Sequence, residues 1–244
     1  MSRTVIIIQA RLGSTRLPNK VLKDLCGRPV LWHVVNRVKQ AKRISEIIIA
    51  TTTLPEDDTI EKFCQDNGIK FYRGSSENVL SRYFETAKKY NAETVIRITS
   101  DCPVIDPVLL DSMIEEYFKS GADYMSNSLV RTFPRGLDVE IFSFALLEKA
   151  YREASKQYEL EHVTPYIYQH PELFKLKNYA NDADFSFHRW TLDTDEDYKL
   201  ISEIYNELYP ANNLFLWKDI LKLFEMRPEL IEINKHIEQK KLSG

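Results

Sequence analysis

The sequence predicts an α/β fold with a mostly parallel central sheet flanked by helices, and three observations carry that expectation. Short runs of β-branched residues (5–8, 47–50 and 94–98) are too brief for helices and unbroken enough to be strands buried on both faces. These runs alternate with amphipathic segments of helical period, the pattern of βαβ units. The chain of 244 residues, 43% of them hydrophobic, is long enough to bury one large core.

Taken in order, the strand at 5–8 leads into a basic loop at 9–20. Gly27-Arg28-Pro29 then forms the entry to a helix at 30–39, with Val30, Leu31, Val34, Val35 and Val38 at helical spacing. A strand at 47–50 follows, then a helix at 57–67 closed by Gly68, a strand at 70–72, a helix at 78–90 and a strand at 94–98. A helix at 107–119 starts on Pro107, and a strand at 123–126 ends the regular alternation. Beyond Asn127 the pattern loosens into strands at 139–142, 174–179 and 185–192, a helix at 144–154, and a short helix at 160–168 interrupted near Pro165. Helices at 196–209 and 216–224 and a charged tail at 228–244 close the chain. Residues 1–244 thus read as a single domain. The inserted 127–192 excursion is expected to cover an acceptor site or to mediate self-association.

Ligands of open parallel sheets sit at the carboxyl ends of the strands. That rule places the 9–20 loop, Thr51, Ser75 and the Thr99-Ser100-Asp101 turn on one rim. The loop packs three cations (Arg11, Arg16, Lys20), two hydroxyls (Ser14, Thr15), Gly13 and Pro18 into a dozen residues. Cations so close repel one another unless an anion joins them. Backbone N–H groups, hydroxyls, guanidinium forks and an ammonium point charge all donate to phosphate oxygens, so the loop suits a polyphosphate. It has neither the Gly-Lys-Ser/Thr of a P-loop nor a Gly-x-Gly-x-x-Gly fingerprint.

Composition narrows the function further. A formal net charge of −3 argues against nucleic acid as a partner, so the basic loop is a local exception. Cys26, Cys64 and Cys102 are scattered without a Cys-x-x-Cys pair, which points to reduced thiols and a cytoplasmic protein, without zinc or a disulfide framework. The apolar run near the N-terminus is too short for a signal peptide, and nothing approaches a membrane span.

Polyphosphates are handled as magnesium complexes, and magnesium prefers carboxylate oxygens. Asp101, at the end of a strand and one residue before Cys102-Pro103, is read as a ligand ahead of a turn aspartate. Asp106, just before Pro107, is read as a helix cap ahead of a ligand. In Asp193-Thr194-Asp195-Glu196-Asp197 the first acid ends a strand and is taken as the second ligand, while the others complement a helix start. Asp138 and Glu140 alternate with apolar neighbours and would share one strand face, either as binding groups or as a polar surface. Arg131, Arg135, His162, His188 and Arg189 could receive an anionic acceptor. Cys102 lacks an adjacent base and is not taken as a nucleophile.

The ordered series Ala10-Arg11-x-x-Ser14-Thr15-Arg16-Leu17-Pro18-x-Lys20, Gly27-Arg28-Pro29, Ser100-Asp101-x-Pro103, Gly136-Leu137-Asp138-Val139-Glu140 and Asp193-Thr194-x-x-Asp197 resembles the cytidylyltransferases that make CMP-activated sugar acids. It looks most like their spore-coat polysaccharide (SpsF-like) branch. Members acting on 3-deoxy-manno-octulosonate carry Pro where Gln9 stands and Gly where Ser100 stands. The resemblance implies a Rossmann-like nucleotidyltransferase fold, often dimeric through an inserted segment. It implies that Arg11, Ser14, Arg16 and Lys20 bind the CTP triphosphate, with Ala10, Gly13, Thr15, Thr51 and Ser100 on the same side. Asp101 and Asp193 would hold Mg2+, and Arg11, Arg16, Lys20 and Asp101 would carry the chemistry. Arg131, Arg135, Asp138, Glu140, His162 and Arg189 would face the acceptor. The expected reaction moves CMP from CTP to an acidic sugar or related anion, with release of pyrophosphate, in surface polysaccharide synthesis. A sugar-1-phosphate nucleotidylyltransferase, a nucleotide-sugar-dependent glycosyltransferase and a non-catalytic nucleotide-binding subunit stand as alternatives.

Overall fold

The computed structural model describes residues 3–239. Strand β1 (Thr4–Gln9) is followed by the basic loop, a small hairpin of β2 (Asp24–Leu25) and β3 (Arg28–Pro29), and helix α1 (Val30–Val38). The alternation continues through β4 (Glu46–Thr52), α2 (Asp58–Asp66), β5 (Lys70–Gly74), α3 (Val79–Lys89) and β6 (Thr94–Thr99). Next come α4 (Pro107–Ser120), β7 (Tyr124–Ser126), β8 (Glu140–Ser143), α5 (Phe144–Glu153), the short α6 (Gln157–His162) and α7 (Pro165–Tyr168), β9 (Leu176–Asn178), α8 (Asp195–Leu208) and α9 (Trp217–Met226).

The main sheet has the order β5-β4-β1-β6-β8-β7-β9. β1 pairs in parallel with β4 and β6, and β5 extends the parallel half beyond β4. β8 runs antiparallel to both β6 and β7, so the sheet is mixed. Side-chain alternation along β1 explains its central position. Ile6 and Ile8 join the core on the face that includes Leu31, Met113, Ile201 and Ile220, while Val5 and Ile7 join Leu80, Tyr83 and Leu147 on the other. All four β1 side chains are fully buried, each worth roughly 1.5–3 kcal/mol over an exposed position.

Local chemistry sets the helix ends. Asp106 caps α4, its Oδ1 accepting from the N–H groups of Val108 and Leu109 at 2.8 and 3.0 Å, with Pro107 next to it. Thr194 and Asp197 form a reciprocal capping box at the start of α8. The break expected near Pro165 is made by Val163, at φ +72°, a left-handed conformation that costs a β-branched residue energy.

One expectation is corrected. The 185–192 segment is not a strand and makes one isolated bridge, Arg135 to Arg189. Its backbone instead crosses the 135–137 turn, with Arg135 N–H donating to His188 O at 3.0 Å and Trp190 N–H to Arg135 O at 2.7 Å. Gly136 permits this crossing: it sits at φ +102°, and a Cβ there would lie 2.5 Å from the Trp190 carbonyl. The 127–192 excursion contributes β8 and β9 to the main sheet. The charged tail, as far as residue 239, packs against the body. Residues Pro228–Ile233 form a 3-10 helix with Leu230 buried, and Asn234 is buried behind it. Its last residues, 240–244, lie outside the described residues.

Candidate active site

The basic loop leaves β1 at Gln9 and is pinned at several points. Ala10 N–H continues the parallel pairing to Ala50 O at 3.1 Å, and Leu17 is buried beneath the loop. Leu12 N–H donates to Asp57 Oδ1 at 2.8 Å, and the same buried carboxylate accepts from the Thr52 hydroxyl. With the backbone held this way, Arg11, Gly13, Thr15 and Arg16 face outward as exposed residues and Lys20 turns inward.

Lys20 joins the two aspartates. Its Nζ donates to Asp101 Oδ2 at 2.7 Å and to Asp193 Oδ1 at 2.8 Å. Burial alone would push the lysine pKa down. The two carboxylates outweigh that cost and hold it above the ordinary lysine range. Asp101 is likewise largely withdrawn from solvent, though not fully buried, which works against its charge. Lys20 and the hydroxyl of Thr99, 2.5 Å from Oδ1, more than offset this and draw its pKa down. Arg16 Nη2 approaches Asp193 Oδ1 at 3.4 Å, so the loop reaches both acids.

Asp193 is oriented from behind. Arg189 Nη2 donates to its Oδ2 at 2.9 Å, and the Arg189 fork also grips Asp197 through Nε at 2.9 Å and Nη2 at 3.0 Å. Asp197 is fully buried and accepts from the N–H groups of Asp193 and Thr194 and from Asn234 Nδ2. Leu192 N–H donates to Asp101 O at 2.9 Å, stitching the two acidic turns together through their backbones.

These elements enclose a cleft of about 700 Å³. Ala10, Arg11, Gly13, Ser14, Thr15, Arg16 and Lys20 line it from the loop, and Ser100 and Asp101 from the β6 rim. Arg135, Asp138, His162 and Asp193 line it from the later half of the chain. Four residues expected at the site do not line the cleft. Thr51 is buried within β4. Arg131 is spent on Asp138, donating through Nη1 at 2.5 Å and Nη2 at 2.9 Å. Arg189 serves Asp193 and Asp197. Glu140, at the start of β8, is buried and accepts from Arg97, from Tyr124 Oη at 2.6 Å and from Thr164 Oγ1 at 2.5 Å. Asp138 precedes β8, so it and Glu140 do not share a strand face.

Other residues on the cleft wall went unread. Gln9, Arg82 and Arg97 line it, and Gln239 reaches it from the tail, accepting from Arg189 Nη1 at 2.6 Å. The signal for Arg97 was a charge between Ile96 and Ile98 in an otherwise apolar strand; Gln239 carried none. Cys102 is buried beside Asp101. Burial first, then that negative charge, push its thiol well above the ordinary value, so it stays protonated. Among the described residues no group of three or more His, Cys, Asp or Glu gathers as a metal cluster, and no helix is long and apolar enough to cross a membrane.

With this geometry in place, comparison with known proteins is informative. A family model described as cytidylyltransferase matches residues 5–237. The chain is 37% identical over 214 residues to the spore coat polysaccharide biosynthesis protein SpsF of Bacillus subtilis, covering 85% of this chain and 88% of that one. It is 32% identical over 130 residues to the 3-deoxy-manno-octulosonate cytidylyltransferase of Geobacter sulfurreducens, about half of each protein. A solved cytidylyltransferase from Leptospira borgpetersenii superposes with a TM-score of 0.91 at 33% identity, over 99% of this chain and 100% of that one.

Proposed function

The chain belongs to the cytidylyltransferase family, and from that premise we propose that it transfers CMP from CTP to an acidic sugar or related anionic acceptor, releasing pyrophosphate. The observation that carries the reading is the convergence of Lys20, Asp101 and Asp193 beneath the outward-facing cations of the loop. Kinship to SpsF favours a role in surface polysaccharide synthesis.

In this reading an acceptor oxygen attacks the α-phosphorus, a new P–O bond forms, and the bond to the β-phosphate breaks. Arg11, Arg16, Ser14, Thr15 and the loop N–H groups bind the triphosphate and hold it in line. Lys20, kept charged by its two carboxylates, neutralises charge that grows on the leaving pyrophosphate. Asp138, with Arg131 locked onto it, and the half-buried Arg135 orient the acceptor.

The donor set at the cleft floor suits Mg2+: two carboxylates converge on one cation, with room beside them for phosphate oxygens and water. Asp101 and Asp193 would hold the ion, which when bound supplies Lewis-acid polarisation of the α-phosphate. The expected homodimer belongs to the same proposal. Val130 and Phe187, 67% and 68% exposed on the 127–192 segment, support it, and sedimentation velocity checks it.

The test is a pyrophosphate-release assay crossing four nucleoside triphosphates with acidic sugars, sugar phosphates and phosphonates. Release with CTP and an anionic acceptor supports the proposal. Turnover that yields free nucleoside diphosphate, or nucleotide binding with no turnover under any acceptor, overturns it.

A further inference from the structure

Arg82 is a buried cation without a counter-ion. It sits on α3, is 2% exposed, and lines the cleft. Its Nη1 donates to Ser75 O at 2.6 Å, its Nε has no hydrogen-bond partner, and no carboxylate among the described residues pairs with it. A guanidinium so largely buried and left without a carboxylate is costly to the fold, so an arrangement of this kind calls for an anion.

A second arginine shares that wall. Arg97 lines the same cleft from β6, and its Nε is also buried without a partner. Unlike Arg82 it is held in place: Nη1 is paired with Glu140, which Tyr124 and Thr164 fix in turn, and the guanidinium lies 5.8 Å from the Tyr83 ring. Thr164 reaches Glu140 just after the left-handed turn at Val163, so backbone strain is invested in positioning this group. The side wall of the cleft therefore carries one fixed cation and one uncompensated cation. Arg131 and Arg189, in contrast, already have their carboxylates.

We propose that Arg82 and Arg97 form the specificity pocket for the acceptor's anionic group, a carboxylate or phosphate remote from the reacting oxygen. This rests on the cytidylyltransferase reading. The loop cations take the triphosphate and the arginines on the side wall take the acceptor, which gives each of the two anionic substrates its own cationic ground. The low proton affinity of Arg82 fits the geometry. Burial, reinforced by Arg11 and not offset by Tyr83 and the more distant Asp57, brings its pKa to about 10, and a bound oxyanion would restore it.

The test titrates the full-length protein with inorganic phosphate and with glucuronate, glucose serving as the neutral control. CTP is kept saturating, so that the loop is already filled, and binding is read by calorimetry and thermal shift. In the wild type both anions bind and raise the melting temperature, and glucose does not. In Arg82→Gln their affinity falls roughly ten- to hundredfold while that for CTP stays within about threefold. The ligand-free variant melts no lower than the wild type, because an unpaired buried charge has gone. An unchanged anion affinity in Arg82→Gln, or a loss of CTP affinity as large as the loss for the anions, overturns the pocket. The second measurement needs no variant: the Nε–H resonances of Arg82 and Arg97 in the wild type shift on adding phosphate to the CTP complex. If neither moves, the proposal falls. CTP binding is read in the same titration; its absence would sink the reading of function, whereas CTP binding with no anion response would sink this one. A response to phosphate alone points to a phosphorylated acceptor, and one to glucuronate alone to a sugar acid.

Discussion

The two walls of the cleft are built on opposite principles. The near wall is one continuous segment whose cations Arg11 and Arg16 stand exposed, Arg16 reaching Asp193 only at 3.4 Å. The far wall is assembled from separate stretches around residues 131–138, 189–197 and 234–239, and on it Arg131, Asp138, Arg189, Asp193 and Asp197 are already matched. Arg189 is 7% exposed and serves two carboxylates, and Asp197 accepts from four residues. In the proposed reading, the wall of exposed cations is ordered by the polyanion it binds, and its interactions strengthen as charge develops. In the same reading, the wall of satisfied pairs is set beforehand and serves by holding Asp193 and Asp138 in place.

Substitutions on each wall should therefore fail in different currencies. Arg16→Ala on the near wall is expected to lower the rate of pyrophosphate release about 100- to 1,000-fold, with the urea midpoint unchanged. A near-wild-type rate would mean the exposed loop is only a solubilising surface. Asp197→Asn on the far wall leaves Arg189 short of charge in a buried setting, and equilibrium urea unfolding should show a loss of about 3–5 kcal/mol. A loss under about 1 kcal/mol would place the far wall in the same loose class as the near one.

Gly136→Ala tests the crossing that carries the far wall. The left-handed φ and the 2.5 Å approach to the Trp190 carbonyl should together cost about 2–4 kcal/mol in the same unfolding experiment. Equal stability would show that the 135–137 turn can move away from the 189–191 segment. The smallest effect expected is a pH effect. Burial among Trp190 and Phe224 lowers His188 from 6.5 to about 4, so between these values the unfolded chain takes up a proton that the folded chain refuses. Its contribution is complete above about pH 6.5 and drains away as pH falls toward 4. His188→Gln should flatten the stability–pH slope in that window by about 1–2 kcal/mol. An unaltered slope would assign the acid sensitivity to other groups.

The sequence was most legible where one residue type has one physical use. The β-branched run of β1, the Asp106-Pro107 cap and the acids that open α8 announce themselves by local rules, and they anchor the sheet and both acidic turns. The basic loop was legible for a related reason: its cations are contiguous, so their repulsion can be seen without a fold. The 185–192 segment misled because its apolar residues pack on helices α8 and α9, as Trp190 does on Phe224, while the tight crossing at Gly136 denies it a ladder. Arg131, Arg189 and Glu140 read as acceptor groups because a sequence shows charges without partners, and each partner lies in a distant or irregular stretch. Arg82 was hidden for the converse reason. On an amphipathic helix a charge reads as the solvent face, and only the fold shows it sealed under the cleft wall.

The most direct measurement of the central claim, that Lys20, Asp101 and Asp193 form one catalytic centre for cytidylyl transfer, is the rate of pyrophosphate release by the wild type and by Asp101→Asn under an anionic acceptor. The account predicts release from CTP by the wild type and a fall of about 100-fold or more in the variant, which still folds because Lys20 keeps Asp193. A variant that releases pyrophosphate as fast as the wild type would contradict it.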